Sequence, residues 1–268
     1  MSPPRTREPV RLDLGPGAWL QGQWSYTDPR PPFAVVFVHG FCSVRFGEKA
    51  QALEAACARR GWTFAAFDFR GHGESSGTIR ELRGSGLLAD LEALDGFLAR
   101  QGAERLCLVG SSMGGWASAW YTLRRPGRVA ACAFIAPGFH FLTARWDRLS
   151  PAERAAWQRT GVLRIRNEWL DTELGYGLVE EAPQFPPDRL TREYRTPTII
   201  FQGLRDEIVP PARTIAFLEQ AAGEHLELRL YKDGGHRLNE RKDEIAEASC
   251  AFFARWLAPA SVNSAAAD

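Results

Sequence analysis

The stretch Val109-Gly110-Ser111-Ser112-Met113-Gly114-Gly115-Trp116 decides how the chain reads. Residues 110–114 fit G-x-S-x-G with Ser112 at the centre. An apolar strand is expected at 105–109 and a helix at 113–124, ending before Pro126. That is the setting in which a serine sits on a tight strand-to-helix turn with its hydroxyl above a sheet. Side chains two positions before and after would collide in such a turn, so Gly110 and Gly114 are required. Ser111 is one place out of frame: its flanking positions are Val109 and Met113.

Outward from the turn, short apolar runs alternate with helix-forming segments. Residues 10–14 and 18–26 read as an opening hairpin around Gly15-Pro16-Gly17. Residues 33–38 (Phe-Ala-Val-Val-Phe-Val) form a continuous apolar run, the pattern of a strand buried on both faces. Residues 47–60 form a helix stopped by Gly61, 62–68 a strand, and 85–100 a helix with Ser85 as N-cap and Gly102 beyond its end. Strands at 129–136, 197–202 and 225–231 follow, with helices at 211–222 and 240–257. The last helix places Ile245, Phe252, Phe253 and Trp256 on one face. The alternation predicts an α/β fold: a mostly parallel central sheet flanked by helices.

The rhythm breaks between Pro137 and Arg195. That stretch carries Trp146, Trp157, Trp169, Tyr176 and Phe185, and is too long and too aromatic for a passive loop. Ser150-Pro151 starts a helix within it, serine as N-cap and proline at the first helical position. The expected organisation is a core at 1–136, a small helical lid insertion at 137–195, the rest of the core at 196–258, and a flexible tail at 259–268.

Composition narrows the class. The 268 residues carry 33 Lys plus Arg against 32 Asp plus Glu, a net charge of +1. This gives no electrostatic reason to expect nucleic acid or an anionic membrane as partner. No run approaches the roughly 18 apolar residues of a membrane span. The five cysteines are odd in number with no C-x-x-C pair, and Cys107 and Cys132 lie in apolar runs, which favours a reducing compartment. The opening residues lack the apolar region of a secretory signal, and Pro3, Pro4 and Pro9 break any amphipathic presequence helix. A cytoplasmic location is expected. Oligomeric state is not legible.

A serine hydroxyl needs a general base, and the base an orienting acid. On this architecture they follow in the order serine, acid, histidine. His236 lies in Asp233-Gly234-Gly235-His236, on a loop between the last strand and the last helix, and is assigned as base. His225 begins an apolar strand and reads as structural. Asp206 ends the strand-loop 201–210 and is assigned as acid, with the adjacent Glu207 as runner-up. Asp233 reads as a turn residue. An oxyanion hole needs two backbone N–H groups. Met113, at a helix N-terminus, supplies one candidate, and Phe41 in Val38-His39-Gly40-Phe41 the other. His39 and His72 read as loop-ordering. His140, Trp146 and Trp169 are candidate substrate-lining residues. The histidines have no metal-ligand spacing, so neither metal nor organic cofactor is expected.

Together His39-Gly40-Phe41, Asp68-Phe69-Arg70-Gly71-His72-Gly73-Glu74-Ser75, Gly110 to Gly115, Gly203 to Pro210 and Gly235-His236 resemble the alpha/beta-hydrolase superfamily over about residues 10 to 257. The elbow and the segment Trp146 to Trp157 are similar to a narrower group, the palmitoyl-protein thioesterase and acyl-glucuronide esterases. The resemblance implies hydrolysis of an ester or thioester of a small-molecule or acyl substrate through an acyl-serine. A peptidase of aminopeptidase type, or a C–C bond or lactone hydrolase, would use the same triad. A peptidase would draw on lid acids such as Glu168, Asp171, Glu173, Glu180 and Glu181 for a substrate amine. A non-catalytic ligand-binding homologue is a further alternative. Dehalogenases of this superfamily carry aspartate at the elbow, so Ser112 argues against that chemistry.

Overall fold

The computed structural model describes residues 5–167 and 170–257. The expected tail at 259–268 and Trp169 lie outside the described residues. The chain runs through β1 (Arg5–Asp13), β2 (Trp19–Thr27), β3 (Phe33–Val38), α1 (Glu48–Arg59), β4 (Thr63–Phe67), α2 (Gly84–Arg100), β5 (Arg105–Ser111), α3 (Met113–Arg124) and β6 (Val129–Ile135). An inserted stretch follows, with α4 (Phe141–Ala144), α5 (Pro151–Thr160), β7 (Val162–Asn167), β8 (Leu170–Gly175), α6 (Gly177–Glu180) and α7 (Pro187–Glu193). β9 (Thr198–Gly203), α8 (Pro211–Gln220), β10 (Leu226–Tyr231) and α9 (Lys242–Leu257) complete it.

Eight strands form one sheet in the order β1-β2-β4-β3-β5-β6-β9-β10. β1, β2 and β4 pair antiparallel, and every pairing from β4 to β10 is parallel. The apolar runs of β3, β5 and β6 have no polar face because helices cover both sides. One side buries Leu87, Leu91, Trp116, Trp120 and Tyr121 of α2 and α3. The other buries Leu53 and Cys57 of α1 and Ile245, Phe252 and Phe253 of α9. This is the architecture that the resemblance implied.

Strand order reverses between β3 and β5. From β3 the chain crosses to β4 on one side, then returns through α2 to β5 on the other. Such a switch point opens a crevice at the carboxyl ends of the two strands. The loop carrying Phe41 and the turn carrying Ser112 both start there.

Three local expectations change. β1 begins at Arg5 rather than residue 10. It is an edge strand with little burial, so no apolar alternation announces it, and Arg5 is held instead by Ser25 and the Trp62 carbonyl. Ser85 is not the N-cap of α2, which starts at Gly84 after Arg83. Its hydroxyl and N–H bond the carboxylate of Glu181, at 2.5 and 2.8 Å, so a carboxylate of the insertion satisfies the first turn.

The insertion, expected to be helical, also contains an antiparallel hairpin of β7 and β8. Leu163 and Ile165 alternate with Arg164 and Arg166, the period of a strand, and the hairpin backs onto residues 79–81, where Gly175 meets the Arg80 carbonyl. Ser150 does cap α5, in a capping box with Glu153, with Pro151 at the first helical position and Gly161 left-handed at φ 73° beyond the end. Trp146, Trp157 and Tyr176 form the insertion's own core, with ring centroids 5.7 to 6.1 Å apart. Phe185 ties it to α3, at 5.2 and 5.3 Å from Trp116 and Trp120.

Trp157 is buried while its indole N–H has no acceptor among the described residues. Trp157→Ala is expected to destabilise by about 3–5 kcal/mol, the cost of an aromatic cavity. Trp157→Phe removes the unpaired donor and is expected to stay within about 1 kcal/mol of wild type. Denaturant midpoints check both; equal losses in the two variants would contradict the packing assignment.

Candidate active site

Ser112 follows the last residue of β5 and precedes the first of α3. Its φ of 52° and ψ of −111° lie where a residue with a Cβ is strained. The backbone holds it there. Ser112 N–H donates to the Ile135 carbonyl at 2.9 Å, and its own carbonyl accepts from Gly115, Trp116 and Gly138. A Cβ at Gly110 would lie 2.6 Å from the Gly114 carbonyl oxygen, and one at Gly114 would collide with the carbonyl of Val38. The two glycines meet the steric demand read from the sequence.

The loop after β3 lies directly against this turn. A Cβ on Gly40 would be 3.4 Å from the Ser112 Cβ. Neither the Phe41 nor the Met113 N–H has a protein acceptor among the described residues. The end of β4 holds the loop. Asp68, fully buried, accepts from the Arg45 N–H at 2.7 Å and the Glu74 N–H at 3.1 Å, and pairs with the Arg45 guanidinium. A Cβ on Gly73 would collide with that carboxylate. Phe69 N–H donates to His39 Nε2 at 3.0 Å. Burial above all, with His72 adding to it, pushes the His39 pKa down to about 3.

The candidate acid and base arrive on the next two strand ends. Asp206 follows β9 and His236 follows β10. His236 Nδ1 is 2.8 Å from Asp206 Oδ2, and Nε2 is 3.0 Å from Ser112 Oγ. Asp206 also accepts from the N–H groups of Ile208 and Val209 at 2.9 and 2.8 Å, and from Gln202 at 3.0 Å. Burial alone would push its carboxyl up. The hydrogen bonds from His236, Val209 and Gln202, with the His236 charge, outweigh it and hold the group below its ordinary value. The runner-up Glu207 is exposed, and its carbonyl binds Arg148.

The remaining candidates separate. His140 is half-buried and lines a cavity of about 340 Å³ with Phe139, Leu190, Arg213 and Phe217. Its pKa is lowered by burial first and the Arg213 charge second. Trp146 is absent from that lining and packs within the insertion. His225 packs on Trp256 at 4.7 Å, a structural role. His72 is buried in its loop with Nδ1 3.3 Å from the Arg70 carbonyl. Among the described residues, no cluster of three or more His, Cys, Asp or Glu side chains could hold a metal ion, and no helix is long and apolar enough to cross a membrane.

Three supporting roles escaped the sequence reading. Gln202 is buried in β9 and bridges Asp206 to Thr214 Oγ1, which donates to it at 2.9 Å. Lys49 of α1 donates to the Arg237 carbonyl at 2.7 Å, beside the base. Gly203 lets the Gly234 backbone close onto the end of β9, where any Cβ would collide. A glutamine inside an otherwise apolar strand was the one legible signal.

A sequence profile of the alpha/beta hydrolase family matches residues 35–248. The mitochondrial palmitoyl-protein thioesterase ABHD10 of Bos taurus is 25% identical over 212 residues, 78% of this chain and 68% of its own length. That of Mus musculus is 26% identical over 212 residues, 78% of this chain and 70% of its own. Among solved structures, a putative hydrolase from Agrobacterium vitis S4 superposes with a TM-score of 0.81 at 24% identity, over 93% of this chain and 99% of its own. Est1E from Butyrivibrio proteoclasticus, with ferulic acid bound, gives 0.80 at 19% identity, over 93% and 100%. These structural likenesses establish the fold.

The buried His39 predicts a pH effect. Its folded pKa lies below the unfolded one, so between about pH 6.5 and 3 the unfolded chain binds a proton that the folded chain does not. Its contribution is complete above pH 6.5 and is lost as pH falls, by roughly 1.4 kcal/mol per unit. Asp206 acts with the same sign at lower pH. Asp90, raised by burial to about 6, acts with the opposite sign. The expected result is therefore a difference: the urea midpoint of His39→Asn falls less steeply than wild type between pH 6.5 and 4. Parallel slopes would contradict a buried neutral imidazole.

Proposed function

The chain belongs to the alpha/beta hydrolase family, and from that premise we propose that it hydrolyses carboxylic esters or thioesters through an acyl-serine at Ser112. The observation that carries this reading is the hydrogen-bonded line from Ser112 Oγ through His236 to Asp206, at 3.0 and 2.8 Å. The acceptor-only carboxylate accepts a hydrogen bond from Nδ1–H, which leaves the Nε2 lone pair facing the serine hydroxyl.

His236 removes the hydroxyl proton as Oγ attacks the acyl carbonyl. The Phe41 and Met113 N–H groups receive the developing oxyanion, and both are unoccupied donors. His236 then protonates the departing alcohol or thiol. Water, activated by the same imidazole, releases the acid and restores Ser112. Asp206 remains ionised throughout and stabilises the transient imidazolium.

Several features support an acyl substrate with an apolar part. Phe41 and Phe141 stand beside the nucleophile turn, their rings 5.9 Å apart. The named activity of the ABHD10 relatives, thioester cleavage of palmitoyl proteins, supports including thioesters. A reducing, cytoplasmic setting is part of the reading, supported by five free thiols of which four are buried.

The test is turnover of p-nitrophenyl esters from acetate to palmitate, with an acyl-CoA thioester and an aminoacyl p-nitroanilide alongside. Ester or thioester turnover is expected, falling roughly 10³-fold or more in Ser112→Ala. Asp206→Asn is expected to lose roughly 10²–10⁴-fold in kcat, since an amide at that position can stabilise the wrong histidine tautomer. Preferred anilide cleavage would replace this reading with a peptidase. Full activity in Ser112→Ala would remove the acyl-serine.

A further inference from the structure

We propose that Lys49 is a positioning residue that holds the loop of His236 in place beside Ser112 by clamping the chain on both sides of Leu238. The proposal rests on the reading of His236 as the base and extends it to the group that sets its place.

His236 follows the last strand of the sheet. Among the described residues, β10 pairs with β9 and no strand lies beyond it, so the loop at its end has a strand neighbour on one side. On that side the support is close. The Gly234 carbonyl accepts from the Arg205 N–H at 2.9 Å, and Gly203 leaves room for the Gly234 backbone. Past His236 the support comes from α1. Lys49, in the first turn of that helix, donates from Nζ to the Arg237 carbonyl at 2.7 Å and to Asn239 Oδ1 at 3.2 Å. Among the described residues, the Arg237 carbonyl is the one backbone group of residues 235–237 that bonds to another element.

The residue between the two acceptors is strained. Leu238 has φ 50° and ψ 30°, the left-handed region that a branched apolar side chain rarely adopts. Its side chain is buried and packs where a Cβ on Gly234 would collide with it. Such a residue persists only where its surroundings fix it. One ammonium bound to the carbonyl before Leu238 and to the side chain after it fixes both flanks. The Arg237 carbonyl belongs to the peptide that joins Arg237 to Leu238, and His236 is the next residue back. Releasing that carbonyl frees the peptide to rotate as Leu238 relaxes, and the imidazole moves with it. Asp206, held by Ile208, Val209 and Gln202, does not follow.

The donor suits this task. Burial first, and the Arg237 charge second, bring the Lys49 pKa down to about 8, with Glu48 and Glu240 opposing. At pH 7 the ammonium form prevails, and a charged donor binds a carbonyl more strongly than a neutral one. A general base works only within hydrogen-bond reach of the proton it takes. A displacement of about 1 Å is enough to lower the rate roughly 10²-fold.

Lys49→Met keeps the length of the side chain and removes the donor. Lys49→Arg restores a cationic donor. Arg60→Met, at the end of the same helix, is the control: it breaks the ion pair to Glu247 of α9 and touches no residue of the His236 loop. The readouts are kcat and KM on p-nitrophenyl butyrate at pH 7, and the second-order rate of inactivation by a fluorophosphonate, which reports how well the serine is activated.

In Lys49→Met, kcat is expected to fall roughly 10–10²-fold with KM within about twofold, and the inactivation rate to fall in parallel. Lys49→Arg is expected to recover most of the loss, and Arg60→Met to stay near wild type. Unchanged kcat in Lys49→Met, or an equal loss in Arg60→Met at the same melting temperature, would overturn the proposal and leave Lys49 as a tie between elements. The wild-type enzyme offers a test that needs no variant. The chain has three lysines, Lys49, Lys232 and Lys242. With nitrogen-15 in the side chain, the Lys49 ammonium protons should exchange with water more slowly than those of the other two at pH 6; equally fast exchange overturns the proposal. Ser112→Ala separates the failures. If it is inactive while Lys49→Met is fully active, the proposal alone falls. If Ser112→Ala retains activity, the acyl-serine reading fails and takes the proposal with it.

Discussion

The close approach of the α3 N-terminus to the end of β3 is the constraint on which the site depends. Gly114 faces the Val38 carbonyl with no room for a Cβ, and a Cβ on Gly40 would lie 3.4 Å from the Ser112 Cβ. Because β3 and β5 are neighbours at the switch in strand order, two loops meet that are about 70 residues apart in the chain. The strain at Ser112 persists because its backbone is held on both sides by Ile135, Gly115, Trp116 and Gly138. The strained turn at Ser112 and the loop after β3 are two sides of one contact.

The loops of Asp206 and His236 repeat this logic on the adjoining strands. Gly203 admits the Gly234 backbone, and Leu204 and Arg205 donate to the Tyr231 and Gly234 carbonyls at 2.9 Å. Asp206 is therefore set within one hydrogen bond of His236 by backbone pairing, before its side chain contributes. Burying a carboxylate is unfavourable unless its oxygens are satisfied, and Asp206 has acceptor bonds from Ile208, Val209, Gln202 and His236. Asp68 solves the same problem with Arg45 and two backbone donors. Two buried carboxylates thus organise the site: one beside His236, one beneath the loop after β3.

The inserted segment is a separate packing problem joined to the core at a few points. Its own aromatic cluster of Trp146, Trp157 and Tyr176 is local. Phe185 enters the face of α3, and the Glu181 carboxylate binds the first turn of α2. Arg148 reaches the carbonyls of Glu207 and Ile208 on the acid loop, at 3.2 and 2.7 Å. The insertion therefore contacts the elbow helix and the acid loop at once.

The sequence by itself determined the elements whose signal is local. The apolar runs of β3, β5 and β6, the glycine frame around Ser112, and the serine and proline at the start of α5 are all readable from neighbours in the chain. The first residues of edge strand β1 and the hairpin of β7 and β8 are not legible in the sequence. The first buries too little to impose a period, and the second is short and lies in a stretch whose aromatics suggested helices. Only the tertiary structure decided which of Asp206 and Glu207 faces His236, that Ser85 binds Glu181 instead of capping its own helix, and that Trp146 packs inward. It also decided that Gln202 joins Asp206 to Thr214, that Lys49 holds the Arg237 carbonyl and that His39 accepts from the Phe69 N–H. These outcomes depend on distances between strand ends, set by sheet order and close backbone packing, and no spacing along one chain encodes them.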